Sequence, residues 1–253
     1  MWIVEYRELI RILTISDLKV KYQSSVLGFA WSLLNPLLMM LVLYLVFNNA
    51  FKNNQEHFAL YILIGIVSWR FLANATSSSM MAIVGKPSLV TKIYIPRQIL
   101  VLSSVLSSFI SSLLEFLVLI VLLLAFGVNI SLNILFFPVI HIVYFIMVYG
   151  ISLALAALYV YYRDLNQIWE VLMQLGFLIS PVCYSISTVP EKYIFYYMLN
   201  PVTLVMQIYR KTLLYAESPS AVSLVYILLS ACVLLILGTV IFKRLERRFA
   251  EEL

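Results

Sequence analysis

Residues 99–126, with the sequence ILVLSSVLSSFISSLLEFLVLIVLLLAF, form the run of apolar and small side chains that decides the fold. The one charged residue in this run is Glu115. About 18 or more apolar residues are enough to cross a bilayer as an α-helix. Five further runs have the same character, although one of them is short, and they cover residues 26–50, 58–84, 132–160, 168–184 (the short one) and 221–242.

The composition of the whole chain agrees with these runs. Of 253 residues, 63% are hydrophobic and 11% are charged, and the mean hydropathy is +1.00, which is outside the range of ordinary soluble domains. The runs leave no stretch long enough for a separate aqueous domain. We therefore predict an all-α integral membrane protein with six transmembrane helices, which form a single transmembrane domain over residues 1–253.

The distribution of lysine and arginine predicts the orientation, because loops on the cytoplasmic side of a membrane are enriched in these residues. One side carries four in the N-terminal segment, three after the second run, one after the fourth run and four in the C-terminal tail, twelve altogether. The other side carries four, namely Lys52, Lys192, Arg210 and Lys211. This asymmetry predicts that both termini are cytoplasmic, and it accounts for the net charge of +5 without a nucleic-acid partner.

Two segments next to the membrane differ from ordinary loops. Residues 2–22 have Trp2, Tyr6, Leu9 and Leu13 at helical spacing, which predicts an amphipathic helix that lies in the membrane interface with its apolar face among the acyl chains. Residues 85–98 are too polar to span a bilayer and too apolar for an idle linker, which predicts a docking segment. Its candidate contact residues are Lys86, Pro87, Lys92, Tyr94, Pro96 and Arg97.

The region 185–220 lies on the opposite side and is far from polar. Pro190 and Asn200-Pro201 divide it into short helical pieces that are rich in aromatic rings. Such pieces predict re-entrant helices, because irregular backbone at membrane depth must be covered by protein or line a water-filled cavity. We predict that an exit is lined by Tyr193, Phe195, Tyr196, Tyr197 and Tyr209. The alternative is that these rings only anchor the region in the headgroup layer.

The residue types present exclude several kinds of chemistry. The chain lacks the G-x-x-x-x-G-K-[ST] loop that cradles nucleotide phosphates, its two histidines are too few for a metal site, and no nucleophile–base pair stands out. We therefore predict no catalytic residue, metal or cofactor in this chain. The clear charges inside the long runs are Arg70 and Glu115, which we interpret as a structural pair. An ion-coupled carrier or a membrane enzyme would need more titratable groups.

Several motifs resemble the membrane subunits of type-2 ABC transporters that export polysaccharides. They are DLKVKYQSSVLGFAWSLLNP at 17–36, LVTKIYIPR at 89–97, Tyr162-Arg-Asp164, Ser180-Pro181 and Asn200-Pro201. The resemblance covers nearly the whole chain in order. It is strongest to the O-antigen (lipopolysaccharide) permeases, followed by the capsule and teichoic-acid permeases. One departure is Ile95, where the family pattern has Phe before Pro-Arg.

The resemblance implies a bacterial inner-membrane permease that works as two copies together with two copies of a separate ATPase, which binds the ATP and Mg²⁺. It implies a channel for a lipid-linked polysaccharide, and it makes residues 85–98 the coupling helix, 2–22 the interface helix and 185–220 the periplasmic re-entrant region. An exporter of a drug or other small amphiphile with the same architecture remains an alternative, as do capsule and teichoic-acid export.

Overall fold

The protein is all-helical in the part of the chain described by the computed structural model, which comprises residues 5–23, 28, 30–51, 57–92, 95–129 and 131–252. The helices are α1 (Arg7–Tyr22), α2 (Ala30–Phe51), α3 (Phe58–Met80), α4 (Pro87–Lys92), α5 (Gln98–Ala125), α6 (Phe136–Tyr161), α7 (Leu165–Ile179), α8 (Glu191–Leu199), α9 (Pro201–Tyr209), α10 (Ala221–Leu245) and α11 (Phe249–Glu252). A π-helical turn, Arg210–Leu214, continues α9.

Five helices are long and apolar enough to cross a membrane, within the described residues. Four of them are α2, α3, α5 and α10, and the fifth is α6 with the 3₁₀ turn that precedes it. The predicted short span 168–184 corresponds to α7, which begins at Leu165 and ends at Ile179. Its 15 residues extend only about 22 Å, less than the hydrocarbon thickness of a bilayer. The count of six spans therefore stays a prediction.

The helix α3 lies at the centre of the bundle. In the most apolar stretch of α3, 78% of the residues are buried. The buried share of the corresponding stretch is 6% in α2 and 17% in α10. The helix α3 packs against α5, α6 and α2, and more lightly against α7 and α9. The peripheral helices α2 and α10 therefore present most of their apolar side chains outward, to lipid or to another protein chain.

The serines of α5 are buried in the bundle. All six have at most 6% of their surface exposed: Ser103, Ser104, Ser107, Ser108, Ser111 and Ser112. The Ser111 hydroxyl lies 3.0 Å from the Tyr22 hydroxyl of α1, and the Ser112 hydroxyl lies 3.0 Å from Nε2 of His141 in α6. Small side chains on α5 thus let neighbours approach on two sides.

The amphipathic helix α1 packs on protein through its most buried apolar side chains. Ile10 and Leu13 are buried, and Thr14 Oγ1 lies 3.5 Å from the carbonyl oxygen of Ser103. Since Thr14 and Tyr22 contact Ser103 and Ser111, eight residues apart in both helices, α1 runs alongside α5. The prediction that this apolar face lies among acyl chains is therefore wrong for Leu13, and protein covers Ile10 on the same helix as well. Trp2, which also belonged to the predicted stripe, lies outside the described residues.

The helices α6 and α10 approach each other closely at two glycines, Gly150 and Gly238. A Cβ atom added at Gly238 would lie 1.9 Å from the carbonyl oxygen of Gly150, and one added at Gly150 would lie 2.6 Å from the backbone of Leu234. Neither position can accept a side chain unless the helices separate. Glycine here allows backbone-to-backbone packing, which is how membrane helices gain contact area without a hydrophobic driving force.

We expect Gly238→Ala to destabilise the folded protein by roughly 1–3 kcal/mol, because the new methyl group must push α6 and α10 apart. The measurement is the thermal unfolding midpoint of the detergent-purified chain. Val233→Leu is the matched control, because it adds a methylene group to a half-exposed position of the same helix. Equal midpoints for Gly238→Ala and the parent chain would contradict the close contact.

Candidate transport site

A groove between α2, α3 and α7 forms a cavity among the described residues. Its volume is about 670 Å³, which is within the usual range for ligand sites. Its apolar lining includes Met39, Leu43, Trp69, Met173 and Phe177, and Asn74, Ser77, Glu170 and Gln174 add polar groups. An apolar wall with a few polar groups suits an amphipathic cargo better than an ion.

Aromatic contacts fix the wall of this groove. The rings of Trp69 and Phe177 meet edge to face with centroids 6.3 Å apart, and a Cβ atom at Gly176 would lie 2.7 Å from the Trp69 ring. The indole Nε1 of Trp169 donates a hydrogen bond of 2.8 Å to Thr76 Oγ1. The helix α7 is therefore held against α3 on one face, while its other face exposes a row of apolar side chains, among them Val171, Leu172, Leu175 and Leu178.

The two predicted intramembrane charges do form a pair. Arg70 Nη2 lies 3.5 Å from Glu115 Oε1, and Arg70 Nη1 donates a 2.9 Å hydrogen bond to Asn35 Oδ1. The Glu115 side chain is 4% exposed and that of Arg70 is 24% exposed. Arg70 thus links α3 to both α2 and α5, which agrees with the interpretation of a structural pair.

The predicted docking segment contains α4, and two of its three cations contact the chain itself. Lys86 Nζ lies 2.6 Å from Asp17 Oδ1 of α1. Arg97 Nη1 donates to the carbonyl oxygen of Glu246, and its guanidinium stacks over the Phe249 ring with 5.7 Å to the centroid. Lys86 and Arg97 therefore join α4 to the N-terminal helix and the C-terminal tail, and these contacts compete with any role in binding a partner.

The other predicted contact residues of this segment are two prolines, a lysine and a tyrosine. Pro87 is exposed and begins α4, and Pro96 is half-buried in the connection to α5. Tyr94 lies outside the described residues, as does the side chain of Lys92. The four helices that meet here, α1, α4, α5 and α11, form what we call the basic platform, defined by Asp17, Lys86, Arg97, Glu246 and Phe249.

The predicted exit residues divide into an exposed and a buried group. Tyr193, Phe195 and Tyr196 on α8 are 46–67% exposed, and the Tyr197 hydroxyl lies 3.2 Å from that of Tyr184. Tyr209, by contrast, is fully buried and contacts Nδ1 of His141 at 2.8 Å. The prediction that Tyr209 lines an exit with the others is therefore wrong. Its position on the inner face of α9 places it in the core.

Arg210, which follows Tyr209, holds the region after α7 against α3. Its side chain is 0% exposed, and Nη1 donates to the Tyr61 hydroxyl at 2.8 Å and to the Pro181 carbonyl at 2.7 Å. Nη2 donates to the Val182 carbonyl at 3.0 Å, and the guanidinium lies 3.5 Å from the centre of the Tyr61 ring. Among the described residues it forms no salt bridge, so carbonyl dipoles and one ring stabilise the charge.

The space that the Arg210 guanidinium occupies depends on a glycine in α3. A Cβ atom at Gly65 would lie 2.7 Å from Nη2, so only glycine leaves room for the guanidinium at this turn of α3. The π-helical turn over 210–214 begins at the same residue. The sequence analysis missed the role of this residue because it counted Arg210 only as a charge on the outer side of the membrane. The signal that could have found it is an arginine next to Tyr209 within the helical pattern of residues 201–214.

His141 occupies a second buried polar site that the sequence did not single out. It is fully buried, and its two ring nitrogens contact Ser112 Oγ and the Tyr209 hydroxyl. The imidazole stacks on Phe109 and Phe137, with centroids 4.7 Å and 5.3 Å away. With both nitrogens engaged, His141 connects α5, α6 and α9 and is not available as a metal ligand.

Comparison with known proteins identifies the family. Residues 8–214 match the family described as ABC-2 type transporter. This chain belongs to that family. It is 30% identical over 251 residues to the O-antigen export system permease protein RfbA of Myxococcus xanthus, which covers 98% of this chain and 96% of that protein. It is 29% identical over 246 residues to an RfbA permease of Klebsiella pneumoniae, covering 96% and 94%.

The match places most of the site within the family domain. Residues 8–214 of this ABC-2 chain include α3, α4, α7 and Arg210 but end before α10. The groove, the Arg70–Glu115 pair and the Arg210 contacts therefore lie within the matched part. The C-terminal half of the basic platform, with Glu246 and Phe249, lies outside it.

We expect Arg210→Gln to lower the stability of this ABC-2 chain by about 3 kcal/mol, because it leaves the Tyr61, Pro181 and Val182 oxygens without their donors. The measurement is the unfolding midpoint and the yield of monodisperse protein. Lys211→Gln is the matched control, because this neighbour is exposed. A comparable loss from both substitutions would show that the buried fork is not what stabilises the region.

We expect Arg70→Gln or Glu115→Gln alone to cost about 3–5 kcal/mol, because either leaves an uncompensated charge in a low-dielectric site. The double variant should recover part of the folded yield, measured by fluorescence-detected size exclusion. Arg11→Gln is the control, because its pairing with Glu8 is exposed and surface pairs are worth about 0–1 kcal/mol. A double variant worse than the sum of the single variants would contradict the pairing.

Proposed function

We propose that this chain is the channel-forming permease subunit of an ABC transporter that exports lipid-linked O-antigen polysaccharide across the bacterial inner membrane. The observation that carries the proposal is the full-length similarity to permeases named for O-antigen export, within a chain that belongs to the ABC-2 family. The chain lacks a nucleotide-binding loop, so a separate ATPase subunit supplies ATP hydrolysis with its own Mg²⁺.

The stoichiometry belongs to the proposal as well. Two copies of this chain and two ATPase subunits form the transporter, with both termini of the permease in the cytoplasm. The exposed apolar row of α7, and the low burial of α2, supply surfaces on which a second copy can pack. In this arrangement the grooves of the two copies face a shared path, and α8 with its exposed rings lies toward the periplasm.

The groove supports a glycan path through the kind of contacts that it offers. Aromatic faces bind the apolar faces of sugar rings without fixing them, and the polar side chains of Asn74, Gln174 and Glu170 can exchange hydrogen bonds with passing hydroxyls. The exposed rings of Tyr193, Phe195 and Tyr196 repeat this combination on α8. None of these contacts is tight, which suits a polymer that must slide.

The basic platform supports coupling to the ATPase. A motion imposed on α4 would reach α1 through the Lys86–Asp17 pair and the C-terminal tail through Arg97. These contacts join segments that are 69 and 149 residues apart in the sequence. In the proposed mechanism, the ATPase docks on the exposed surface of α4, and the contacts of the platform carry its motion to the spans.

The second candidate is export of a small amphiphile, and the volume of the groove favours it. About 670 Å³ with a mostly apolar lining would hold one drug-sized molecule. The two candidates differ in what stimulates the transporter and in what crosses the membrane.

The test is reconstitution of the chain with its cognate ATPase in liposomes. We expect lipid-linked glycan to stimulate ATP hydrolysis and to become accessible to a glycosidase on the far side of the membrane. An ATPase subunit without its catalytic carboxylate is the control and should abolish both signals. Stimulation by small hydrophobic cations, with no response to lipid-linked glycan, would contradict the proposal and favour the second candidate.

A further inference from the structure

A cavity on the basic platform is not used by the proposed transport path. It lies between α1, the end of α3 and the first turns of α5, and its volume is about 300 Å³. We propose that this cavity binds the phosphate of an anionic phospholipid from the leaflet next to the platform. We call it the headgroup pocket, and the residues that define it are Asp17, Val20, Lys21, Lys86, Ser104 and Ser108.

Two nearly buried serines that line the headgroup pocket form no side-chain hydrogen bond among the described residues. Ser104 is 5% exposed and Ser108 is 4% exposed, and both line the cavity. The other serines of α5 differ, because each has a bond: Ser103 to the Leu100 carbonyl, Ser107 to the Ser104 carbonyl, Ser111 to the Ser107 carbonyl and Ser112 to the Phe109 carbonyl. The Ser104 and Ser108 hydroxyls therefore face the cavity as donors that a ligand can use.

The spacing of these two hydroxyls suits one phosphate group. Ser104 and Ser108 are four residues apart on one helix, so they lie on the same ridge about 5–6 Å apart. A phosphate that sits between them can accept a hydrogen bond from each through different oxygens. Hydrogen bonds to a charged acceptor are stronger than neutral ones, so an anion gains more here than a neutral sugar hydroxyl would.

The charges around the headgroup pocket favour an anion. Lys86 is paired with Asp17 at 2.6 Å, whereas Lys21 forms no salt bridge within the described part of the chain. Glu115, the other carboxylate near Lys21, lies seven residues beyond Ser108 and is paired with Arg70 at 3.5 Å. The lining therefore has two lysines and one aspartate, which leaves one positive charge for the ligand.

The rim of the headgroup pocket points to a lipid as the source of the phosphate. Val20 is 72% exposed and Met81 is 46% exposed, and both belong to the lining. Ile12, also on α1, is 61% exposed. Apolar side chains beside a phosphate site suit acyl chains, and a lysine near an anionic leaflet adds about 1 kcal/mol of attraction. A free phosphate ion would gain nothing from this rim.

The test is lipid binding to the full-length, detergent-purified chain, measured by native mass spectrometry during titration with phosphatidylglycerol or phosphatidylcholine. We expect phosphatidylglycerol to bind and Lys21→Gln to weaken it about fivefold. The double variant Ser104→Ala/Ser108→Ala should weaken it about tenfold. The matched controls Lys19→Gln and Ser103→Ala should change it less than twofold, because Lys19 and Ser103 do not line the cavity.

Several outcomes would overturn the proposal. Equal losses for Lys21→Gln and Lys19→Gln would mean general attraction to a basic surface. Equal binding of both lipids, or displacement by inorganic phosphate at the same concentration as by lipid, would exclude a phospholipid site. Preference for a polyprenyl diphosphate over phosphatidylglycerol would assign the pocket to the exported lipid instead.

The lysine and serine substitutions are chosen so that the variants should still fold. Lys21 is exposed, so its substitution does not disturb the core, and alanine preserves the helical propensity of α5 at the serine positions. The unfolding midpoint of each variant, measured without added lipid, should match the parent chain. Because lipid binding is measured without the ATPase or any glycan, its outcome is independent of the test of the proposed function.

Discussion

Irregular backbone inside a membrane protein needs hydrogen-bond donors from the protein itself, because hydrocarbon supplies none. In this chain that constraint is most acute after α7, where Ser180-Pro181-Val182 leaves the helix and is nevertheless buried. The guanidinium of Arg210 supplies such donors, because it donates hydrogen bonds to the Pro181 and Val182 carbonyl oxygens. The same group contacts Tyr61 of α3, so the break in one helix is anchored to the centre of the bundle.

Several other features depend on this anchor. Gly65 is the residue that leaves space for Nη2, and the π-helical turn begins where the arginine leaves α9. Tyr209, one position earlier, contacts His141 and so ties the same short helix to α6 and, through Ser112, to α5. Two adjacent side chains therefore fix α9 to four other parts of the fold. This is why α9 is buried although it is too short to cross a membrane, while α8 beside it stays exposed.

The long apolar runs could be predicted closely, and the contacts between distant segments could not. Residues 99–126 were predicted as a span and the helix is Gln98–Ala125, because a run of apolar side chains in lipid has no alternative to a helix. The short run 168–184 was harder, since Ser180-Pro181 ends α7 early and hydropathy does not register a helix end. The pairing of Arg70 with Glu115 followed from there being two lone charges in neighbouring spans.

The errors share one physical cause. Local pattern shows which face of a helix is apolar but not which distant segment covers it. Arg210 was counted as a charge on the outer side and Tyr209 was placed at an exit. Nothing in their own neighbourhood reveals the space beside Gly65 or the histidine in α6. For the same reason the sequence did not reveal the intramolecular partners of Lys86 and Arg97, which are Asp17 and the Glu246 carbonyl, 69 and 149 residues away.

The charges at Arg210 and at the basic platform are stabilised in different ways. This difference decides which of the two regions can rearrange more easily. Arg210 donates into rigid carbonyl groups at full burial, so moving it would leave several acceptors unpaired at once. The Lys86–Asp17 pair is about one-quarter exposed on each side, and water can replace either partner at little cost. A conformational change driven from outside the membrane would therefore rearrange the basic platform more readily than the region held by Arg210. Some contacts of the platform can therefore be broken and re-formed. The platform is also connected directly to α1, α5 and the C-terminal tail, and a coupling element requires both properties.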